Sequence, residues 1–157
     1  MNFMTANRRF TLDSNLLVYA SDREARDRHR TAHDLVRRAS SLDCTLTLQA
    51  LAEFFQVTTR KFKVPPRTAA EIVNGWRDVF PICSADDFAL VDAMDAVEGH
   101  GLSFWDAMLW ATARRAGCRA VLSEDFQNGR ELGGVIFINP LVPEPSPMLE
   151  EFLGSDT

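Results

Sequence analysis

Cysteine, lysine and long apolar runs are all scarce in this 157-residue chain. The three cysteines, Cys44, Cys83 and Cys118, are an odd number, lie far apart and form no CxxC pair or Cys/His cluster. That pattern argues against a disulfide framework and a zinc site, and free thiols beside apolar runs suit a reducing cytosol. No apolar run approaches the ~18–20 residues of a membrane span. Met1 to Phe10 holds two arginines but no apolar core of the kind a secretory signal needs. These absences point to a cytoplasmic protein with no membrane partner. Positive charge is also short: 17 basic against 22 acidic side chains leave a formal charge of −5. Binding nucleic acid by bulk charge is therefore disfavoured, but an enzyme that reaches a polyanion through metal ions is not.

What is present fits one soluble domain spanning residues 1–157. Apolar residues make up 46% and charged residues 25% of the chain. A chain this long buries roughly 68–70% of its unfolded surface and needs no staple to stay folded. The hydrophobic period switches repeatedly between strand and helix. Strands are expected near 10–13, 44–48, 79–83, 120–123 and 135–138, with turn-type Asp13-Ser14-Asn15 closing the first. Helices are expected over 24–40, 49–62 (Leu51, Phe55, Thr58 and Phe62 on one side), 68–76, from Ser84-Ala85-Asp86-Asp87 toward Glu98, and from Ser103 to near Gly117. The residues after Asn139 hold four of the seven prolines and read as an extended, partly acidic tail over 140–157, leaving a core of about 10–139. Alternating strands and helices imply parallel pairing and an α/β sandwich.

In open α/β sheets, ligands bind outside the carboxyl ends of the strands. Four acids fall there: Asp13 after the first strand, Glu53 one turn into the second helix, Asp106 in the first turn of its helix, and Asp125 after the fourth strand. Each has a plainer reading. Asp13 suits an Asx turn, Asp106 the third position of a capping box, and Asp125 an ordinary loop, with Glu124 an equally eligible neighbour. Glu53 sits between apolar neighbours, where an unpaired carboxylate is costly. Clustered carboxylates repel unless they share a proton or a cation. All-oxygen ligation suits Mg²⁺ or Mn²⁺, and such a site without an essential Ser, Cys or His points to metal-assisted phosphodiester hydrolysis.

At these residues the sequence resembles the PIN-domain family, and within it the VapC-type toxins of toxin–antitoxin pairs. The match is carried by Phe10-Thr11-Leu12-Asp13-Ser14-Asn15-Leu16-Leu17-Val18-Tyr19-Ala20, by Leu48-Gln49-Ala50-Leu51-Ala52-Glu53-Phe54-Phe55 with Arg60-Lys61, by Ser103-Phe104-Trp105-Asp106-Ala107-Met108-Leu109-Trp110-Ala111-Thr112-Ala113, and by Leu122-Ser123-Glu124-Asp125-Phe126. The resemblance implies a three-layer α/β/α sandwich around a central, mainly parallel sheet. It also implies a Mg²⁺- or Mn²⁺-dependent endoribonuclease, often a homodimer, silenced by a cognate VapB-type antitoxin. Carried over by position, Asp13, Glu53, Asp106 and Asp125 form the catalytic, metal-holding set, Asn15 and Ser123 support it, and Arg60 and Lys61 are candidate RNA contacts. Trp110 is bulkier than the small aliphatic residue expected on that helix.

Other features are read more plainly. His29 and His33 have helical metal-binding spacing but no zincin glutamate, and His100 between glycines reads as a loop residue. Arg23, Arg26, Arg28, Arg30, Arg37 and Arg38 read as a solvated helix face, with RNA phosphates as the alternative partner. Arg60, Lys61 and Lys63 share that ambiguity. Trp76, Trp105 and Trp110 read as core or interface residues rather than base-stacking platforms. A non-cleaving module that grips RNA or protein is the rival function. A phosphoaspartyl phosphatase needs Asp-x-Asp where this chain has Asp13-Ser14-Asn15, and a receiver domain needs a late lysine where the only lysines are Lys61 and Lys63.

Overall fold

A computed structural model describes residues 7–154. The first six residues of the segment examined for a signal, and the last three of the acidic tail, lie outside the described residues. Six strands and seven α-helices are described: β1 (Phe10–Leu12), α1 (Ser14–Ser21), α2 (Asp27–Ala39), β2 (Leu46–Thr47), α3 (Leu48–Arg60), α4 (Pro66–Val79), β3 (Ile82–Cys83), α5 (Asp87–His100), α6 (Phe104–Arg115), β4 (Ala120–Leu122), β5 (Glu131–Leu132), β6 (Val135–Ile138) and α7 (Met148–Leu153).

The main sheet runs β1-β4-β6-β5, parallel except for β5, which pairs antiparallel with β6. The parallel β2–β3 pair joins its other edge, where a Phe10–Cys44 bridge and the Thr45 N–H donating to the Phe10 carbonyl (3.1 Å) tie β2 to β1. The strand order is thus 3-2-1-4-6-5 in effect. It reverses direction between β1 and β4, which opens a crevice at their carboxyl ends.

The two faces of the sheet carry separate cores. Leu12, Leu122 and Ile138 pack with Leu16, Leu17, Leu35, Phe54 and Phe152, while Val121, Val135 and Phe137 pack with Ala93, Met108 and Trp110. Neighbouring strand residues face opposite layers, as the two-residue period of a strand requires. The result is the expected three-layer sandwich.

Several boundaries moved. Asp13-Ser14-Asn15 does close the first strand, but it also opens a helix where a turn was expected. The Asp13 carboxylate accepts the Ser14 N–H and caps α1, whose Leu16, Leu17, Val18 and Ala20 are buried. The helix expected over 24–40 is broken by a 3₁₀ turn (Arg23–Ala25) and by Arg26 at φ 55°. On α3 the buried stripe is Ala50, Leu51, Phe54 and Thr58; Phe55 turns outward, and Phe62 lies beyond the helix, which stops at Arg60. Asp86, not Ser84, caps α5 by accepting the Ala89 N–H at 2.8 Å. The tail is not wholly extended: α7 follows Pro147 and inserts Leu149, Phe152 and Leu153 into the core. Arg38 fastens its end by donating to the Gly154 carbonyl at 2.8 Å. Among the described residues no helix is long and apolar enough to cross a membrane.

Candidate functional site

The register of β1 and β4 sets the centre of the crevice. Leu12 pairs with Leu122, so the next residues, Asp13 and Ser123, stand side by side, and the Asp13 N–H donates to the Leu122 carbonyl at 2.9 Å. Asp13 is only 5% exposed. One carboxylate oxygen accepts from the Ser14 N–H (2.7 Å) and the other from the Ser123 hydroxyl (2.8 Å). Its pKa is raised to about 6: burial raises it most, the two hydrogen bonds lower it, and the charges of Glu53 and Asp125 raise it again.

Glu53 reaches the same place from α3. The Ser14 hydroxyl donates to Glu53 Oε2 at 2.8 Å, so one serine links the start of α1 to the body of α3. Gln49, one turn earlier on α3, donates to Glu53 Oε1 (3.0 Å) and to the Trp105 carbonyl (3.0 Å). That second bond ties α3 to the start of α6, beside Asp106. The Glu53 carboxylate is therefore half-buried and doubly hydrogen-bonded, not stranded among its apolar sequence neighbours.

Asp106 and Asp125 are connected by field rather than by hydrogen bonds. Burial raises the Asp106 pKa, a Ser103 hydrogen bond lowers it, and the charges of Asp125 and Glu53 raise it again. Asp125 is exposed, and its N–H donates to the Ser123 hydroxyl at 3.0 Å. Asn15 Nδ2 lies 3.5 Å from that same hydroxyl, while Asn15 Oδ1 is buried with no donor. Ser123 thus links Asp13, Asn15 and the Asp125 backbone.

None of the four acids has a basic partner among the described residues. Nor, among those residues, do three His, Cys, Asp or Glu groups converge into a ready-made metal cage. Asp13 and Glu53, with Asp106 and Asp125 nearby, are the groups able to hold a cation.

Glu124 faces other partners. Its carboxylate accepts from the Tyr19 hydroxyl and lies 3.7 Å from Arg28 Nε, with the Arg28 guanidinium over the Tyr19 ring at 5.8 Å. The Glu124 hydrogen bond, ahead of burial, raises the Tyr19 pKa to about 12, so the phenol stays a donor. Tyr19→Phe removes a charge-assisted bond that typically contributes ~1.5–3 kcal/mol when sheltered. Because Glu124 is partly exposed, the expected loss is about 1 kcal/mol, read as a lower urea midpoint at unchanged m-value.

The remaining candidates sit apart. Arg60 ends α3, exposed, and Lys61 extends over the Phe62 ring at 5.5 Å; neither contacts the four acids. His29 Nδ1 lies 2.9 Å from the Tyr19 carbonyl, its ring 5.5 Å from that of His33. Of the arginine face, Arg30 and Arg37 pair with Asp27 and Asp34. Trp110 is buried and donates to the Leu132 carbonyl at 3.0 Å, filling the second core. Trp105 is 62% exposed and belongs to no core. Ser14 and Gln49 were not singled out from the sequence; the four-residue step from Gln49 to Glu53 was the available signal for the latter.

The family model for the PIN domain matches residues 10–128. The chain belongs to the PIN-domain family. No curated protein matches the sequence. Among solved structures, a toxin–antitoxin complex from Klebsiella pneumoniae is similar at TM-score 0.60 and 19% identity, over 83% of this chain and 96% of that one. VapC20 of Mycobacterium tuberculosis, described as a Sarcin-Ricin loop cleaving toxin, gives 0.58 and 18%, over 71% and 86%. VapBC2 from Rickettsia felis, bound to a DNA fragment from its promoter, gives 0.59 and 13%, over 82% and 96%. At these identities the likeness establishes a shared PIN fold. The acids described above lie within the matched region.

Proposed function

We propose that this PIN-domain protein is a divalent-metal-dependent endoribonuclease of the VapC type, the toxin of a type II toxin–antitoxin pair. One observation carries the reading. A nearly buried carboxylate, Asp13, lies at the sheet's switch point, close enough to Glu53 and Asp125 to feel their charge, and among the described residues no basic side chain is paired to any of the four acids. Repulsion of that kind is relieved by a cation.

The donor chemistry fits Mg²⁺ or Mn²⁺. Every candidate donor is oxygen, Asn15 Oδ1 is a buried acceptor without a donor, and Mg²⁺ keeps several waters while taking only one or two carboxylates. Asp13 and Glu53 would hold the ion, with Asp106 and Asp125 beside it. When bound, such an ion neutralises phosphate charge and acidifies a water for in-line displacement. The protein's own contribution is positional. Ser123 and the Ser14 N–H fix Asp13, while the Ser14 hydroxyl and Gln49 fix Glu53. Outer partners of this kind typically affect metal affinity or activity by about 10–100-fold. Arg60 and Lys61 supply exposed charge on and just beyond α3 for the RNA backbone.

The toxin assignment also proposes a VapB-type antitoxin partner, supported by the toxin–antitoxin complexes to which the fold is similar, and with it a homodimer and a cytoplasmic setting. A second reading, a PIN-like module that binds RNA or protein without cutting, is favoured by the absence of a ready-made metal cage among the described residues. Cleavage of a total-RNA pool separates the two. The wild-type protein with Mg²⁺ or Mn²⁺ is expected to cut, and folded Asp106→Asn protein is not. Equal cutting by both would sink the site; RNA bound but never cut by the wild type would favour the module.

A further inference from the structure

A cavity of about 620 Å³ has one of the four acids, Glu53, in its wall. Its other principal surfaces are Leu48, Gln49, Ser84, Trp105 and Met108, and among the described residues no basic side chain lines it. That volume lies within the range of small-ligand pockets. A phosphate has nothing to pair with here. A flat, uncharged group with apolar faces and a polar edge does.

Two side chains are set for such a group. Trp105 is 62% exposed, held with its ring at 71° to that of Phe104 and 4.9 Å from it, one residue before Asp106. Gln49 donates from Nε2 to both Glu53 and the Trp105 carbonyl. Those two acceptors fix which way the amide points and leave Oε1 as an oriented acceptor.

We propose that this pocket receives one unpaired nucleobase of the RNA, stacked on the Trp105 indole, with Gln49 Oε1 accepting a hydrogen from the base edge. The proposal rests on the ribonuclease reading and deepens it: the base beside the scissile phosphate would be sensed here, giving the protein a sequence preference. The occupant follows from continuity. A strand whose phosphate lies at Asp13 and Glu53 has a flanking nucleoside in reach of a cavity whose wall is Glu53 itself. Every base has a stacking face, and base–aromatic stacking is worth enough that truncating the aromatic typically weakens binding by roughly 5–150-fold.

The test uses the full-length protein carrying Asp106→Asn, so that RNA is bound without being cut. The probes are single-stranded hexaribonucleotides of A, C, G or U and matching oligomers with one abasic position. At least one sequence is expected to quench tryptophan fluorescence, to bind roughly 10-fold or more tightly than its abasic counterpart, and to lose that advantage in Trp105→Ala protein. Trp105→Phe, which keeps an aromatic face, is expected to restore most of the affinity and guards against a misfolded alanine variant. In the cleaving background, Trp105→Ala should raise KM and broaden the base found at cut sites. Unchanged affinity and unchanged cut sites in Trp105→Ala, with metal-dependent cleavage intact, would overturn the pocket proposal alone. No RNA binding or cleavage by any form would overturn the ribonuclease reading with it. Loss of a protein partner from Trp105→Ala with RNA handling unaffected would also overturn it, assigning the pocket to a protein segment.

Discussion

Asp13→Asn protein is expected to be more stable than wild type at neutral pH without metal, and to cleave RNA far more slowly with it. Loss of a residue holding the ion should exceed the roughly 10–100-fold typical of an outer partner. The stability gain follows from linkage. Asp13 titrates near 6 in the folded protein against an ordinary 3.8. Between those values the folded state keeps a proton that the unfolded chain has released, so stability falls as pH rises through about 4 to 6 and stays low above. Ionising Asp13 at neutral pH therefore costs the folded protein on the order of 3 kcal/mol. Asparagine removes that charge, but its amide then meets a Ser123 hydroxyl that already accepts the Asp125 N–H at 3.0 Å. The expected net gain is about 1–2 kcal/mol, or roughly 2–8 °C in Tm at this chain length. Thermal melts in EDTA at pH 4 and pH 7.5 check it: the gap should be wide at the higher pH and close at the lower. A variant less stable than wild type at pH 7.5 would show that Asp13 is not strained by its charge.

The second large effect is stabilisation by divalent metal. An ion that binds the folded protein at 100 times its dissociation constant stabilises it by about 2.7 kcal/mol. That corresponds to roughly 5–10 °C in Tm for a domain of this length. Protons compete for the same oxygens: Asp13 is protonated below about 6, and burial raises Asp106 as well. The shift should therefore be large at pH 7.5, small at pH 5, and much reduced in Asp13→Asn at both. Scanning fluorimetry with Mg²⁺, Mn²⁺ and Ca²⁺ reads it directly. A shift that is equal at both pH values would place the ion elsewhere.

The contrast between Asp13 and Trp105 shows what the sequence could and could not disclose. Asp13 was legible because a β-favouring triplet followed by an acid marks a strand's carboxyl end, and topology assigns ligands to such ends. The same three residues hid α1, since Asp-Ser-Asn chemistry serves a turn and a helix cap equally well. Glu53, Asp106 and Asp125 were placed by the same topological argument, although their mutual proximity depends on a strand order no local pattern reveals. The parallel α/β sandwich followed from alternating periods. The two-residue β5 and the helix α7 after Pro147 were too short, or too masked by prolines, for a period to show. Trp105 read as a core or interface residue, and its position at the start of α6 leaves it outside the packed face. Glu124 and Asp125 were equally eligible by position, and the resemblance alone favoured Asp125. Tyr19 and Arg28, more than 90 residues away, draw Glu124 aside.

The most direct test of the account is metal depletion and return on one preparation of wild-type protein incubated with total RNA. Cleavage should stop in EDTA, resume on adding excess Mg²⁺ or Mn²⁺, and weaken at acid pH, where protons compete with the ion for Asp13. RNA cut equally well in EDTA, by protein freed of contaminating nuclease, would contradict the assignment of this site to metal-dependent phosphodiester hydrolysis.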